Sequence, residues 1–192
     1  MSNINDMTVG PPTRDIIKFA LPLICGYILQ QMYLIIDAAI VGRWIGVGAL
    51  AAVGASSSIM FLIMGFCNGS CAGFAIPVAQ SFGAKDLSAM RSYVSNALRI
   101  SAVIAVVITI FTCIFCERIL KIVNTPDEVF HDAYIFLLLN FIAIPFTIAY
   151  NTLSGFIRAL GNSKQPFYFL IISSFVNIGL DVIRILIIGM GV

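Results

Sequence analysis

Long apolar stretches separated by short polar connectors run along the whole chain. Each stretch reaches the roughly 20 residues that a helix needs to cross the hydrocarbon core of a bilayer. None of them alternates apolar and polar residues as strands do. Because a helix satisfies its backbone groups within one segment in lipid, we predict transmembrane helices. They are about 16–41, 49–79, 95–116, 133–157 and 167–191.

The composition of the chain also indicates a membrane protein. Of the 192 residues, 60% are hydrophobic and 10% are charged, and the mean hydropathy is +1.02. Soluble domains carry about 25% charged residues. The net charge of +2 gives no sign of nucleic acid binding. We therefore predict an all-α integral membrane protein that contacts membrane lipid and no nucleic acid.

The few basic residues indicate the orientation in the membrane. With a cytoplasmic N-terminus, six of them fall on the inner side and three on the outer side. Cytoplasmic loops carry an excess of Lys and Arg. We therefore predict a cytoplasmic tail over 1–13 and a multi-pass transmembrane region over 14–192. The membrane that we expect is a cell membrane, of the bacterial inner or plasma membrane type. The inner set is Arg14, Lys18, Lys85, Arg91, Arg158 and Lys164, and the outer set is Arg43, Arg118 and Lys121.

Two aspartates lie inside predicted helices, Asp37 in the first and Asp181 in the fifth. A carboxylate is costly in the membrane, so it tends to face a protein interior or a wet cavity and to serve ions or protons. Helical spacing places Gln30 and Tyr33 on the face of Asp37, and Asn177 on the face of Asp181. The sequence therefore predicts a polar cluster between helices. The alternative is that each aspartate caps a frayed helix end near the interface.

Arg184 follows Asp181 by three residues and shares its helix face. Two arrangements are open. Arg184 forms a structural ion pair with Asp181, or it extends outward from the last turns of the helix.

Small residues and prolines mark further features. Gly65, Gly69 and Gly73 predict a face that a neighbouring helix approaches closely, with a bend or a lumen-facing surface as the alternative. Pro22 and Pro145 lie inside the first and fourth predicted helices, where proline commonly causes a kink.

The other polar and sulfur-containing residues give weaker signals. Asn140, Thr147 and Asn151 form a polar stripe that either joins helices or lines a cavity. The five cysteines lie in apolar stretches with no histidine or carboxylate to complete a metal set there, so we interpret them as packing residues. We see no nucleophile–base pair and no phosphate-binding glycine loop, so an enzyme is not predicted.

Five segments, in order and over nearly the whole chain, resemble the multidrug and toxic compound extrusion (MATE) family. Residues 30–43 (QQMYLIIDAAIVGR) and 48–54 (GALAAVG) are similar to its first helix and the following turn. Residues 80–86 (QSFGAKD) resemble the inner loop after its second helix. Residues 155–166 (GFIRALGNSKQP) resemble the loop before its fifth helix, and 177–181 (NIGLD) resembles its fifth-helix signature.

The resemblance implies a twelve-helix transporter with two six-helix lobes and alternating access to a central cavity. This chain would form most of the N-terminal lobe and lack its sixth helix, with a C-terminal lobe as its partner in the full-length protein. The implied positions that bind the coupling cation are Asp37, Asn177 and Asp181, with Asn151 a further candidate. Pro22 matches a proline at which the first helix bends in the family.

The function implied by the resemblance is secondary active efflux of organic, often cationic, drugs against Na⁺ or H⁺, with no bound cofactor. Protonation or Na⁺ binding at the aspartates would bias the first helix between conformations. Gln30, Tyr33 and Asn151 are the candidate cavity-lining residues. Arg184 stands where the family pattern has an apolar residue.

Two other functions are alternatives. A lipid-linked oligosaccharide flippase of the same superfamily would carry a more cationic cavity, for which Arg99 and Arg184 are the candidates here. A non-transporting membrane scaffold would show no ion dependence. Dye efflux with and without an ion gradient separates these classes.

Overall fold

Six α-helices make up nearly all of residues 12–40, 42–43 and 47–183, the part of the chain that the computed structural model describes. This part contains no β-strand. The prediction of an all-α fold is confirmed. The helices are α1 (Pro12–Ile40), α2 (Val47–Gly83), α3 (Leu87–Ile122), α4 (Asp127–Ile142), α5 (Ile144–Ala159) and α6 (Lys164–Ile183).

Three of these helices, α1, α2 and α3, are long and apolar enough to cross a membrane. Together, α4 and α5 qualify as a fourth span that is bent by 44°. Over its described residues α6 does not qualify alone, and the predicted end of the fifth span at 191 lies outside them. The protein is therefore a multi-pass membrane protein whose described part contributes three or four spans.

The fourth predicted helix, 133–157, is two helices rather than one. Pro145, in the first turn of α5, has no N–H to donate, and its ring disfavours a helical carbonyl four residues earlier. The Ala143 N–H still bonds to the carbonyl oxygen of Leu139 (3.1 Å), and the Ala143 carbonyl accepts from the Thr147 N–H (3.1 Å). The chain thus changes direction at Ala143. In contrast, α1 runs through Pro22 without interruption, so the bend there stays a prediction.

The third helix extends beyond its apolar stretch, and local polar contacts stabilise both of its ends. The Asp86 carboxylate accepts the Ala89 N–H (2.9 Å) and caps the start of α3, eight residues before the predicted start. At the other end, Lys121 and Glu117 pair at 2.6 Å across one turn. Hydropathy located the apolar centre of α3 and missed these charged ends.

The six helices form two groups. Four of them, α2 to α5, pack around a shared core in which Leu120, Leu137, Phe141 and Ile144 are fully buried. The first helix packs mainly against α6, and α6 makes only a few contacts with α5. We call these groups the four-helix body and the α1–α6 pair. The lobe therefore has an internal boundary that runs between them.

The glycine repeat of α2 does not face a neighbouring helix. Gly65, Gly69 and Gly73 are exposed, and a Cβ added to any of them meets no atom within 4 Å. The prediction that this face packs closely against another helix is wrong for the described part of the chain. The close approach instead occurs at Gly155, where an added Cβ lies 3.5 Å from the Ala75 Cβ, between α5 and α2.

Replacing Gly155 by leucine should therefore destabilise the protein by about 1–3 kcal/mol. An added Cβ already touches Ala75 and lies 3.7 Å from the Cys71 carbonyl oxygen, so a larger side chain must push α5 away from α2. The matched control, Gly69→Leu, should be neutral or slightly stabilising because glycine is a poor helix former. Thermal unfolding of the purified protein in detergent measures both, and equal melting temperatures would contradict this packing.

Candidate functional site

A cavity of about 710 Å³ lies between the four-helix body and the α1–α6 pair. Its volume is within the range of about 300–1,000 Å³ that is usual for small-molecule sites. Apolar residues from α1, α2, α5 and α6 form most of the wall, and Pro22 is one of them. The polar residues of the described lining are Tyr27, Gln30, Asn68, Thr147, Tyr150, Asn151, Ser154 and Arg158.

A pair of asparagines joins α2 and α5 in the wall of the cavity. The Asn151 Nδ2 donates to the Asn68 Oδ1 at 2.9 Å. Asn151 is one of the predicted cavity-lining residues, whereas Asn68 is not among the residues predicted from sequence. The available signal was that Asn68 is the only asparagine in the second predicted helix. Two neutral amides thus present further donors and acceptors to the cavity.

Behind these asparagines, buried side chains hold α5 against α2. The Thr152 hydroxyl donates to the Cys71 sulfur at 3.4 Å, and the Cys71 thiol donates to the Ile148 carbonyl oxygen at 3.8 Å. Thr152 is fully buried, and Cys71 and Ile148 are buried too. Cys71 acts here as a small packing residue with a weak hydrogen bond, which agrees with the interpretation made from sequence. The wall is therefore fixed by polar as well as apolar contacts.

Tyr33 and Asn177 join α1 to α6. The Asn177 Nδ2 donates to the Tyr33 hydroxyl at 3.3 Å. Farther toward the start of both helices, Gly26 is buried, and a Cβ added there would lie 3.4 Å from Leu170. Both contacts join residues that are 144 positions apart, so α1 and α6 run in the same direction in a fixed register.

The same register relates the two aspartate positions. Asp37 and Asp181 are also 144 residues apart, and each comes four residues after a member of the Tyr33–Asn177 pair. Positions 37 and 181 therefore lie at the same level of α1 and α6, one helical turn beyond that pair. The side chains of both aspartates and all of Arg184 lie outside the described part of the chain.

The predicted site residues are thus distributed over two places. Gln30 and Asn151 line the cavity, Gln30 from α1 and Asn151 from α5. Tyr33 and Asn177 form the contact between α1 and α6, and Tyr33 is not part of the described cavity lining. The α1–α6 pair connects the two places because it supplies one wall of the cavity and carries both aspartate positions. An apolar wall with scattered amides and hydroxyls suits an amphipathic organic molecule.

Comparisons with known proteins give relatives and a fold. The "Probable multidrug resistance protein YoeA" of Bacillus subtilis (strain 168) is 34% identical over 177 residues, which are 92% of this chain and 38% of that protein. The "Probable multidrug resistance protein YpnP" of the same organism is 28% identical over 187 residues, 97% of this chain and 42% of that protein. The chain therefore spans about two fifths of the length of these relatives.

A solved structure of a MOP superfamily transporter from Pyrococcus furiosus has the same fold. It superposes with a TM-score of 0.91 at 22% identity, over 100% of this chain and 42% of that chain. The MatE family model matches residues 22–183. The resemblance inferred from sequence segments is confirmed, and the chain belongs to the MatE family of MATE transporters.

Proposed function

We propose that this chain forms most of the N-terminal lobe of a secondary active transporter that expels organic, often cationic, compounds in exchange for Na⁺ or H⁺. The observation that carries the proposal is the cavity of about 710 Å³ between the two helix groups of a MatE-family chain. Relatives described as multidrug resistance proteins support the export of drugs. A C-terminal lobe in the full-length protein would complete the transport pathway.

The protein would reside in a cell membrane with its N-terminus in the cytoplasm. The ends of the helices support this orientation. The basic residues of the predicted inner side occur near the start of α1, between α2 and α3, near the start of α3, and around the turn from α5 to α6. An excess of Lys and Arg is typical of cytoplasmic ends.

Asp37 and Asp181, with Asn177 beside them on α6, would bind the coupling ion. Support comes from the common register, which puts both positions at one level of adjacent helices. A carboxylate within a membrane is stabilised when a proton or Na⁺ neutralises it. Ion binding would then favour one position of the α1–α6 pair over another, since a ligand shifts a conformational equilibrium only by its differential affinity. A shift of this pair changes the cavity because α1 and α6 form one of its walls.

The proposal predicts that transport of a cationic fluorescent dye by the full-length protein requires an ion gradient. The protein is reconstituted in proteoliposomes, and dye movement is followed with an imposed Na⁺ gradient, an imposed proton gradient, or neither. We expect one gradient to drive dye accumulation and its collapse by an ionophore to stop it.

Two outcomes would contradict this proposal. Dye movement that is the same with and without both gradients would exclude ion coupling. Translocation of a labelled lipid-linked oligosaccharide without any dye transport would instead identify a flippase.

A further inference from the structure

Three cations lie near the first residues of the α1–α6 pair. Arg14 and Lys18 are exposed near the start of α1, and because they are four residues apart they share one face of it. Lys164 is exposed at the start of α6. The two helices run in the same direction with an offset of 144 residues, so Lys164 lies at the level of position 20. Along the axis, Lys18 is then about 3 Å and Arg14 about 9 Å from Lys164.

These cations lie on the side of the pair that faces away from the cavity. Gly26 of α1 faces Leu170 of α6. At about 100° per residue, Lys18 is rotated from Gly26 by about 80°, and Lys164 is rotated from Leu170 by about 120° in the opposite sense. Because two packed helices face each other with opposite surfaces, opposite rotations bring these side chains to the same side. Tyr27, which lines the cavity, is rotated from Gly26 by about 100° away from Lys18.

No carboxylate of the described residues forms an ion pair with these cations. The one ion pair in the described part of the chain joins Lys121 to Glu117, on α3. Asp15, the residue after Arg14, is half-buried. It is rotated from Gly26 by only about 20°, so it is directed toward α6 and not toward the side that carries the cations. The positive charges are therefore available to an external anion.

An exposed apolar surface continues from the cations along the same side of the pair. Leu29 of α1 is on the side of Lys18, Phe175 of α6 is on the side of Lys164, and both are exposed. Tyr168, one turn after Lys164, is also exposed, and tyrosine is enriched at the level of the lipid headgroups. This side of the pair thus combines a cationic end at headgroup level with an apolar surface beyond it.

We propose that this side of the α1–α6 pair binds an anionic phospholipid. Its headgroup meets Arg14, Lys18 and Lys164, and its acyl chains lie along the apolar surface. Basic pockets between transmembrane helices on the cytoplasmic side bind anionic headgroups, and the orientation proposed above places these cations on that side. The lipid contacts both helices of the pair. The site is separate from the cavity, so this inference does not depend on what the protein exports.

Native mass spectrometry of the purified full-length protein tests the site by lipid titration. The probes are phosphatidylglycerol, which is anionic, and phosphatidylcholine with the same acyl chains, which has no net charge. The wild-type protein should bind its first phosphatidylglycerol at least about tenfold more tightly than phosphatidylcholine, since each cation near a headgroup contributes about fivefold.

Variants locate the effect. The double variant Arg14→Gln/Lys18→Gln should weaken binding of phosphatidylglycerol by about thirtyfold and change binding of phosphatidylcholine by less than about twofold. The control Lys85→Gln/Arg91→Gln removes the same two charge types from exposed positions at the same end of the four-helix body. It should change both affinities by less than about twofold. The exchange Arg14→Lys/Lys18→Arg keeps both charges and should bind as the wild type does.

Three results would overturn the assignment. Equal wild-type affinities for the two lipids would exclude a site for an anionic headgroup. An equal loss in the control double variant would show diffuse attraction to all the basic residues and no site on the α1–α6 pair. A thirtyfold loss in the exchange variant would show that the two side chains support the local structure and that their charge does not bind the lipid.

Discussion

Asp37→Asn should reduce gradient-driven dye transport by about a hundredfold, near the upper end of the coupling that two sites typically share. Asparagine has nearly the size of aspartate and cannot exchange a proton or neutralise Na⁺. The ion would then have no preference for either conformation of the α1–α6 pair. A ligand with equal affinity for two conformations does not shift the equilibrium between them. Transport is measured in proteoliposomes at equal protein content, with the driving gradient found for the wild type.

The control and a second variant make this result specific. Asp132→Asn removes a carboxylate from an exposed position of α4 and should transport at the wild-type rate. Asp181→Asn should lose transport as Asp37→Asn does. Normal transport in both membrane-aspartate variants would rule out the proposed coupling site. Loss in Asp37→Asn alone would favour the alternative in which Arg184 already neutralises Asp181.

The helices themselves were predictable because their cause is local. Apolar segments that must satisfy backbone hydrogen bonds in lipid become helices whatever surrounds them. The same periodicity placed Tyr33 on the face of Asp37 and Asn177 on that of Asp181. It could not show that these two faces meet, because the parallel packing of α1 on α6 joins residues 144 positions apart.

The features that sequence reasoning missed depend on which helix lies beside which. Gly65, Gly69 and Gly73 have the spacing of a packing face, yet α2 turns that face away from the described helices. The role of Asn68 follows from its hydrogen bond with Asn151, which depends on the packing of α5 against α2. The six basic residues of the predicted inner side gave the same signal in sequence. Only the packing of α5 shows that one of them, Arg158, lines the cavity.

Phe141→Ala should destabilise the protein by about 3 kcal/mol, the lower end of the range for such a truncation in a core. Phe141 is fully buried in α4, two residues before the break at Ala143, within the core that joins α2 to α5. The lower end applies because lipid tails are as apolar as the core. The truncation therefore costs the van der Waals contacts of the ring but little free energy from the hydrophobic effect.

Phe61→Ala is the matched control for that loss. Phe61 is 84% exposed on α2, so lipid can fill the space that its ring leaves, and the cost should stay within about 0.5 kcal/mol. Thermal unfolding in detergent compares the two variants, and equal shifts would show that the buried core does not hold the four-helix body together. A selective loss in Phe141→Ala would show that this core holds the four-helix body together as one unit. The α1–α6 pair, which meets it through few contacts, would then be the part that ion binding can move.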